Sequence, residues 1–222
     1  MNLKMKTTDK PDLNKHPDFS NRKIRQIAYF GFADAAPNDP LYQEAFECSE
    51  YLTSKGFVAI NGGGPGTMRA VSEGAKAAGG TAVAVTFYPK DITNFEGRDP
   101  KNPADIEFKT KNYLERTLKL LEYGDAYVIF RGGTGTISEF GMAWGLARLY
   151  FGHHKPLILY GQYWQNIINA FEENMRIRPE DLKVFRIVNS PEEAEEAINM
   201  FEELLVRQEH ASPEERAFQI SR

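Results

Sequence analysis

The sequence is poor in the features that mark secreted, membrane-spanning and nucleic-acid-binding proteins. Cys48 is the single cysteine among 222 residues, so no disulfide can form within the chain. No apolar run approaches the roughly 18 residues that a membrane-spanning helix requires. The polar start of the chain lacks the apolar stretch of a secretory signal, and a formal net charge of −4 gives no overall attraction to nucleic acid or anionic membranes. We therefore expect a soluble cytoplasmic protein with no nucleic-acid partner and no membrane partner.

Candidates for a metal site or an organic cofactor are equally scarce. His153 and His154 are adjacent, whereas two metal-binding histidines on one helix face stand four residues apart, and no cysteine accompanies them. We interpret this pair as the end of a helix. No lysine stands out as a partner for pyridoxal phosphate. The sequence predicts that the protein uses neither a metal nor a cofactor.

What is present is a regular alternation of short apolar runs and helical stretches. Five runs are apolar on both faces and rich in β-branched or aromatic residues, as strands of a helix-covered parallel sheet are. These predicted strands are Ile24–Phe30, Phe57–Ile60, Thr81–Phe87, Ala126–Phe130 and Pro156–Tyr160. The pattern predicts an α/β fold with a doubly wound, mainly parallel sheet and helices on both faces. We expect one domain over residues 23–207, between a flexible polar leader (1–22) and a charged C-terminal tail (208–222).

Helix signals fill the gaps between these strands. Asp39 followed by Pro40 is typical of a helix start, and the apolar residues that follow, Cys48 included, fall on one helical face. Further helices are predicted over Thr110–Tyr123, Thr136–Tyr150 and Trp164–Asn174, and from Ser190 onward. The stretch from Tyr88 to Asp105 breaks the alternation. We predict a long loop there that acts as a lid and selects the ligand.

Two glycine-rich turns, each between a strand and a helix, are the strongest functional signal. The first is Asn61-Gly62-Gly63-Gly64-Pro65-Gly66-Thr67, and the second is Gly132-Gly133-Thr134-Gly135-Thr136. Glycine lets the backbone approach a ligand closely, and the helix that follows directs free N–H groups and a positive dipole end at the same place. The pattern therefore predicts a phosphate site. Its candidate residues are Gly62, Gly63, Gly64, Gly66, Gly132, Gly133, Thr134, Gly135 and Thr136.

Tight strand-to-helix turns could need the same glycines without binding any ligand. Thr67 and Ser138 stand where a dinucleotide motif of the form G-x-G-x-x-G has its third glycine, and no G-x-x-x-x-G-K-[ST] motif is present. This argues against NAD or ATP. Both turns follow the carboxyl ends of strands in one open sheet, the edge at which ligands of such folds bind. That shared position favours a binding role.

Glu139 and Arg116 are the candidate charged residues, and each has a structural alternative. Glu139 lies three residues after Thr136, so the two could form a helix capping box. Arg116 lies on a predicted helix beside Glu115, so it could belong to a solvated face or pair with that neighbour. The residue pattern by itself leaves these alternatives open.

The motifs around these residues resemble those of one protein family. Gly62-Gly63-Gly64-Pro65-Gly66-Thr67-Met68 resembles the GGGxxGxM loop of the LOG (Lonely Guy) family, long labelled as lysine decarboxylases. Glu115-Arg116 resembles the start of its ERK stretch, and the run from Arg131 to Glu139 resembles its PGGxGTxxE signature. The resemblance extends from about Ile24 to Phe171. It implies a Rossmann-like homodimer.

The resemblance also implies an activity. Family members hydrolyse the N-glycosidic bond of a nucleoside 5′-monophosphate, an AMP-like substrate, to a free base and ribose 5-phosphate. Arg116 and Glu139 are then the implied catalytic residues, and Gly132 through Thr136 the implied phosphate loop.

The chain departs from the family pattern at three points. Arg131 replaces the proline of the signature, Thr117 replaces the lysine of ERK, and Phe32 stands in the turn where the family has a serine. We hypothesise that Arg131 places a positive charge beside the phosphate loop, and so compensates for the lysine that Thr117 replaces. The departures keep open an alternative function, that of a non-catalytic nucleotide carrier or sensor.

Overall fold

The computed structural model describes residues 22–89 and 97–210. Most of the predicted leader, part of the predicted lid and the end of the predicted tail lie outside these residues. Within them the strands are β1 (Gln26–Phe30), β2 (Val58–Asn61), β3 (Ala82–Phe87), β4 (Ile106–Thr110), β5 (Ala126–Ile129), β6 (Leu157–Tyr160) and β7 (Phe185–Val188). The helices are α1 (Pro40–Ser54), α2 (Thr67–Ala77), α3 (Tyr113–Tyr123), α4 (Thr134–Leu149), α5 (Tyr163–Asn174) and α6 (Pro191–His210), with a 3₁₀ turn at Pro179–Leu182.

The described strands form one parallel sheet in the order β4-β3-β2-β1-β5-β6-β7. The predicted fold class, a doubly wound α/β sheet of the Rossmann-like kind, is therefore confirmed. The chain leaves β1 toward one edge of the sheet and returns to β5 on its other side. The two adjacent strands β1 and β5 therefore make the topological switch point, where such folds open a crevice at the carboxyl edge of the sheet.

Two edge strands were not expected from the sequence. β4 falls where the predicted loop ends and a helix was predicted to begin, and β7 follows the 3₁₀ turn. Exposure alternates along β4, with Glu107 and Lys109 facing solvent. An edge strand buries one face only, so a search for runs that are apolar on both faces misses it. The helix after β4 begins at Tyr113, later than predicted, because the Asn112 side chain caps it by accepting from the N–H of Glu115 at 2.9 Å.

Helices cover both faces of the sheet, as predicted. One buried cluster joins β1, β2 and β5 to α1, α2 and α6, and a second joins the sheet to α3, α4 and α5. Cys48 lies fully buried in the first cluster, and Asp39 caps α1 by accepting from the N–H of Leu41 at 2.9 Å. Both outcomes agree with the sequence.

The turn after β1 ties the two glycine turns together. The N–H of Phe32 donates to the carbonyl of Arg131 at 3.1 Å, beyond the end of β5. The carbonyl of Phe32 accepts from the N–H of Thr67 at 2.9 Å, at the start of α2. Three strand ends are therefore held at fixed spacing around the switch point.

Helix α3 is fixed at its far end by a lysine. The Nζ of Lys155, just before β6, donates to the carbonyl oxygens of Leu121, Glu122 and Gly124 at 2.7, 3.0 and 2.6 Å. These carbonyls belong to the last turn of α3 and the residue after it, where orphan acceptors and the negative end of the helix dipole favour a cation. The asparagine cap satisfies an N–H group at the start of α3, and the lysine ties the end of the helix to the residue just before β6.

Candidate functional site

A cavity of about 260 Å³ opens at the switch point between β1 and β5. Backbone and side chains from the turns after β1, β2 and β5 and from helices α3 and α4 form its walls. The residues that line it are Tyr29, Phe30, Gly31, Phe32, Ala33, Gly62, Met68, Tyr113, Arg116, Leu120, Gly133, Thr134, Gly135, Thr136 and Glu139. The structure thus brings seven of the eleven predicted site residues to this cavity, and it does not bring Gly63, Gly64, Gly66 or Gly132 to its wall.

The second glycine turn presents a helix start to the cavity. Gly133 is the N-cap of α4, and no side chain caps the helix. The N–H groups of the first turn therefore have no partner inside the helix, and Thr134, Gly135 and Thr136 line the cavity at this point. A Cβ built on Gly133 meets no atom within 4 Å, whereas one on Gly132 would lie 2.0 Å from Oγ1 of Thr136. Gly132 allows the turn to close, and open space lies beside Gly133.

The first glycine turn has a different design. Gly63 and Gly66 adopt positive φ angles of 72° and 61°, which L-residues with a side chain rarely adopt. A Cβ on Gly66 would also lie 2.3 Å from the carbonyl oxygen of Ala33. The carbonyl of Gly64 accepts from the amide of Asn102 at 3.0 Å. These three glycines shape the turn, and they do not line the cavity.

Gly62 makes room for Arg116. A Cβ at position 62 would lie 1.6 Å from Nη2 of Arg116 and 2.7 Å from Sδ of Met68. The guanidinium donates from Nε to the carbonyl of Val85 at 3.2 Å and from Nη2 to the Met68 sulfur at 3.4 Å. Arg116 is 6% exposed, so the idea that it sits on a solvated helix face is wrong.

Glu139 lies beside Arg116 in the buried wall of the cavity. Its Oε1 is 3.6 Å from Nη1 of Arg116, and the residue is 6% exposed. Helix α4 begins at Thr134, two residues earlier than predicted, so Glu139 lies beyond the first turn and the proposed capping box with Thr136 does not form. Burial raises the pKa of Glu139 to about 7, while the nearby Arg116 charge opposes that rise.

The departures from the family pattern occupy different places. The Arg131 guanidinium lies over the ring of Tyr163, 4.2 Å from its centre, and Arg131 is not among the residues that line the cavity. Thr117 is buried, and its hydroxyl donates to the carbonyl of Tyr113. Among the described residues that line the cavity, Arg116 is the one basic side chain. The structure therefore gives no support to the hypothesis that Arg131 replaces a missing cation at the phosphate loop.

Three residues at or near the cavity stand out among those that were not predicted as site residues. Asn102 is 2% exposed and fixes the first glycine turn from the segment predicted as a lid. The hydroxyl of Tyr113 lies 3.0 Å from Oγ of Ser138, and so joins the start of α3 to the first turns of α4. Phe32 stands at the cavity with its side chain exposed. The position of Tyr113 beside the Glu115-Arg116 motif was a usable signal, whereas nothing in the sequence singled out Asn102.

Among residues 22–89 and 97–210, no three histidine, cysteine, aspartate or glutamate side chains group in a way that could hold a metal ion. No helix in the same part of the chain has the length and apolar character needed to cross a bilayer.

Comparisons with known proteins agree with the motifs. The shared sequence pattern of a family described as "possible lysine decarboxylase" matches residues 68–198. An uncharacterized protein from Archaeoglobus fulgidus is 32% identical over 139 residues, which cover 63% of this chain and 86% of that protein. The cytokinin riboside 5′-monophosphate phosphoribohydrolase of Mycobacterium tuberculosis is 32% identical over 121 residues, 54% of this chain and 62% of that protein. The match thus spans less than two thirds of the M. tuberculosis relative.

Solved structures share the fold. The protein TM1055 superposes with a TM-score of 0.60 at 25% identity, over 80% of this chain and 99% of that one. The molybdenum cofactor binding protein from Rippkaea orientalis gives a TM-score of 0.57 at 24% identity, over 80% and 97%. Because the family match spans more than half of the chain and includes the positions of both Arg116 and Glu139, the chain belongs to the LOG (Lonely Guy) family.

Proposed function

We propose that the protein hydrolyses the N-glycosidic bond of a nucleoside 5′-monophosphate and releases the free base and ribose 5-phosphate. The observation that carries this proposal is the buried Arg116–Glu139 pair, 3.6 Å apart, in the same cavity as the uncapped start of α4. The phosphoribohydrolase name of the M. tuberculosis relative supports it. We place the reaction in the cytoplasm, because a fold with a single cysteine depends on no internal disulfide and so needs no oxidising compartment.

The start of α4 is suited to hold the 5′-phosphate. The unpaired N–H groups of Thr134, Gly135 and Thr136 and the positive end of the helix dipole favour an anion. The threonine hydroxyls add donors. Binding of the phosphate at the helix start positions the sugar, because the N-glycosidic bond is then held at a fixed distance from the helix.

Glu139 is suited to stabilise the sugar during bond breaking. Cleavage of a bond between C1′ and a base nitrogen builds positive charge on the sugar ring. A carboxylate beside C1′ attracts that charge most strongly in the transition state, which lowers the barrier. Water then adds to C1′, its oxygen forming the new hydroxyl of ribose 5-phosphate, and the leaving base carries away a proton. In its ionised form Glu139 also orients this water and the ribose hydroxyls.

Arg116 is suited to hold Glu139 in its working state. A guanidinium stays charged at any ordinary pH, so it cannot serve as the proton donor. Its contacts with the carbonyl of Val85 and the sulfur of Met68 fix the group in place. The charge opposes the effect of burial on Glu139, and so enlarges the fraction of enzyme in which the carboxylate is ionised at neutral pH.

A non-catalytic nucleotide carrier is the second candidate. Arg131 lies over Tyr163 rather than in the cavity wall, and Thr117 stands where the family pattern has lysine. The chain therefore presents a less basic cavity than the family pattern implies. A similar fold is present in a molybdenum cofactor binding protein, so the fold alone does not decide between turnover and carriage. The two candidates differ in whether a bound nucleotide is cleaved.

We further propose that two copies of the chain associate through the layer formed by α3 and α4. Leu114 and Leu118 of α3 are 67% and 59% exposed, and Ile137 and Leu149 of α4 are 57% and 73% exposed. On α6, across the sheet, the large apolar side chains are better covered. A concentration of exposed apolar side chains on one layer is typical of an interaction surface.

Glu139→Gln should reduce turnover strongly while leaving nucleotide binding nearly unchanged. The amide keeps the shape of the side chain and loses the charge, so we expect kcat to fall about 100-fold or more. The protein is incubated with AMP, GMP, CMP and UMP, free base is measured by chromatography, and AMP binding by calorimetry. Glu196→Gln, at an exposed position of α6, is the matched control. Tight AMP binding by the wild type with no base released would instead establish the carrier.

Turnover should rise with pH through neutrality. Because the pKa of Glu139 is raised to about 7, the carboxyl is neutral below that pH and cannot stabilise positive charge. We expect kcat/KM to fall about tenfold per pH unit on the acid side and to level off above pH 8. Arg116→Met should shift this acid-side fall to higher pH. Without the guanidinium charge, burial raises the pKa of Glu139 further. If the fall stays at the same pH or moves to lower pH in this variant, then the Arg116 charge does not control the ionisation of Glu139.

Gly62→Ala should impair the site without unfolding the protein. The added methyl group occupies the position of Nη2 of Arg116 and pushes the guanidinium away from Glu139. A displacement of that kind costs about 100-fold in kcat/KM. Gly145→Ala is the control, since a Cβ there meets nothing within 4 Å. In the double variant with Arg116→Met, the glycine substitution should add no further loss; additive losses would show that Gly62 acts elsewhere.

Leu118→Glu should separate the two copies. A charge in an apolar contact surface leaves an unpaired ion buried on association, so the mass measured by light scattering should fall from that of a dimer to that of one chain. Leu204→Glu, at a 41% exposed leucine of α6 on the opposite layer, should leave the mass unchanged. A wild-type protein that scatters as a single chain at micromolar concentration disproves the dimer.

A further inference from the structure

Tyr113 connects the two helices that carry the charged pair. It is the first residue of α3, it is half-buried, and it lines the cavity. Its hydroxyl lies 3.0 Å from Oγ of Ser138, which is on α4. Arg116 follows Tyr113 one turn later on α3, and Glu139 is the residue after Ser138 on α4. The tyrosine and the serine therefore stand beside the two members of the ion pair.

The direction of this hydrogen bond follows from the other contact of the serine. Oγ of Ser138 donates to the carbonyl of Gly135 at 2.7 Å. A serine hydroxyl has a single proton to donate, and its oxygen can accept at the same time. Since that proton is directed to Gly135, the tyrosine hydroxyl is the donor to the serine. A chain of hydrogen bonds thus runs from the start of α3 to the first turn of α4.

The ring of Tyr113 is held as well as its hydroxyl. It packs edge-on against Phe87 at the end of β3, with 6.1 Å between ring centres and an angle of 75° between ring planes. The guanidinium carbon of Arg116 lies 5.9 Å from the centre of the tyrosine ring, within the range of a cation–π contact. A Cβ built on Gly135 would lie 3.4 Å from the hydroxyl oxygen. Tyr113 therefore approaches the guanidinium with its ring and α4 with its hydroxyl.

The ion pair depends on how α3 and α4 are held relative to each other. The distance of 3.6 Å between Nη1 of Arg116 and Oε1 of Glu139 is longer than a hydrogen bond, so the pair does not by itself hold the two groups tightly. The residues with titratable or charged side chains among those that line the cavity are Tyr29, Tyr113, Arg116 and Glu139. Arg116 is the basic one among them, and its attraction for the carboxylate weakens as the distance grows.

We propose that Tyr113 is a positioning residue for the ion pair. Its hydroxyl, through Ser138, holds the start of α3 to α4 and so fixes the distance between the guanidinium and the carboxylate of Glu139. This inference rests on the proposed function, because that distance matters for turnover only if Glu139 acts on the sugar. Without the hydroxyl, α3 and α4 move apart at this end, and the guanidinium then opposes the effect of burial on Glu139 less strongly. The acid-side fall in activity should therefore shift to higher pH.

The test removes the hydroxyl and keeps the ring. Tyr113→Phe deletes the donor, and Ser138→Ala deletes its acceptor at an exposed position of α4. Tyr51→Phe is the matched control, because the hydroxyl of Tyr51 also joins two helices, α1 and α6, by donating to Glu195 at 2.8 Å on the other face of the sheet. Release of free base from AMP is measured against pH for each variant, and thermal unfolding is followed on the same proteins.

We expect Tyr113→Phe to lower kcat/KM about fivefold, the effect of one lost hydrogen bond, and to shift the acid-side fall to higher pH by less than Arg116→Met does. Ser138→Ala should give the same shift, and the two substitutions together should give no more than either one. In an Arg116→Met background, Tyr113→Phe should not shift the fall further, because no guanidinium is left to position. Tyr51→Phe should leave the pH profile unchanged, whatever its effect on the melting temperature.

A second measurement does not depend on turnover. The titration of the Glu139 carboxyl is followed by carbon-13 NMR on protein labelled at glutamate, and its signal is identified by its loss in Glu139→Gln. The midpoint of this titration should be higher in Tyr113→Phe than in the wild type. If the wild type releases no base from any nucleotide but the midpoint shifts as expected, then the hydrolysis is wrong and the positioning role stands.

Three results would overturn the inference. If Tyr113→Phe lowers the melting temperature while the pH profile and the NMR midpoint stay in place, then the hydroxyl only stabilises the fold. If it weakens the binding of AMP and of ribose 5-phosphate alike in calorimetry, again with the midpoint in place, then the hydroxyl binds the phosphate itself. Fully additive effects of Tyr113→Phe and Ser138→Ala on the midpoint would show that the two hydroxyls act separately.

Discussion

The buried ion pair between Arg116 and Glu139 is the constraint around which the rest of the structure is arranged. Taking two charges out of water costs more than their attraction returns unless other groups help to satisfy them. At 3.6 Å the pair is in contact but not tightly bonded, and Arg116 directs its other N–H groups to Val85 and Met68. Such a pair adds little to stability. Its position in a cavity at the switch point of the sheet is what a site for chemistry requires.

The two glycine turns have different structural roles at the cavity. The second turn opens a helix start toward the cavity, with empty space beside Gly133. The first turn mostly bends the chain, because Gly63 and Gly66 take positive φ angles and Asn102 holds Gly64 from behind. The first turn contributes to the site through Gly62, because the absence of a side chain there leaves space for the guanidinium of Arg116. Similar sequence patterns therefore have different physical causes.

The sequence predicted the central parallel strands, the layers of helices and seven of the residues that line the cavity. Those features follow from apolar periodicity and from two long motifs, both of which are local in the chain. The edge strands β4 and β7 were missed because their burial is one-sided. The burial of Arg116 could not be read from its neighbours, since it depends on Gly62, distant in sequence and adjacent in space. Asn102 and Phe32 act through contacts between loops, and no periodic pattern marks such contacts.

The anchoring of the end of α3 by Lys155 has a consequence for how this architecture can change. Lys155 bonds the carbonyls at the end of α3, and the guanidinium of Arg116 bonds the carbonyl of Val85 and the sulfur of Met68. None of these contacts involves the residue at position 32. The turn after β1, at the edge of the cavity, is held by hydrogen bonds between backbone groups of Phe32, Arg131 and Thr67. These bonds do not depend on which side chain stands at position 32. A substitution at position 32 can therefore change which small molecule the cavity accepts, while the Arg116–Glu139 pair keeps its own contacts.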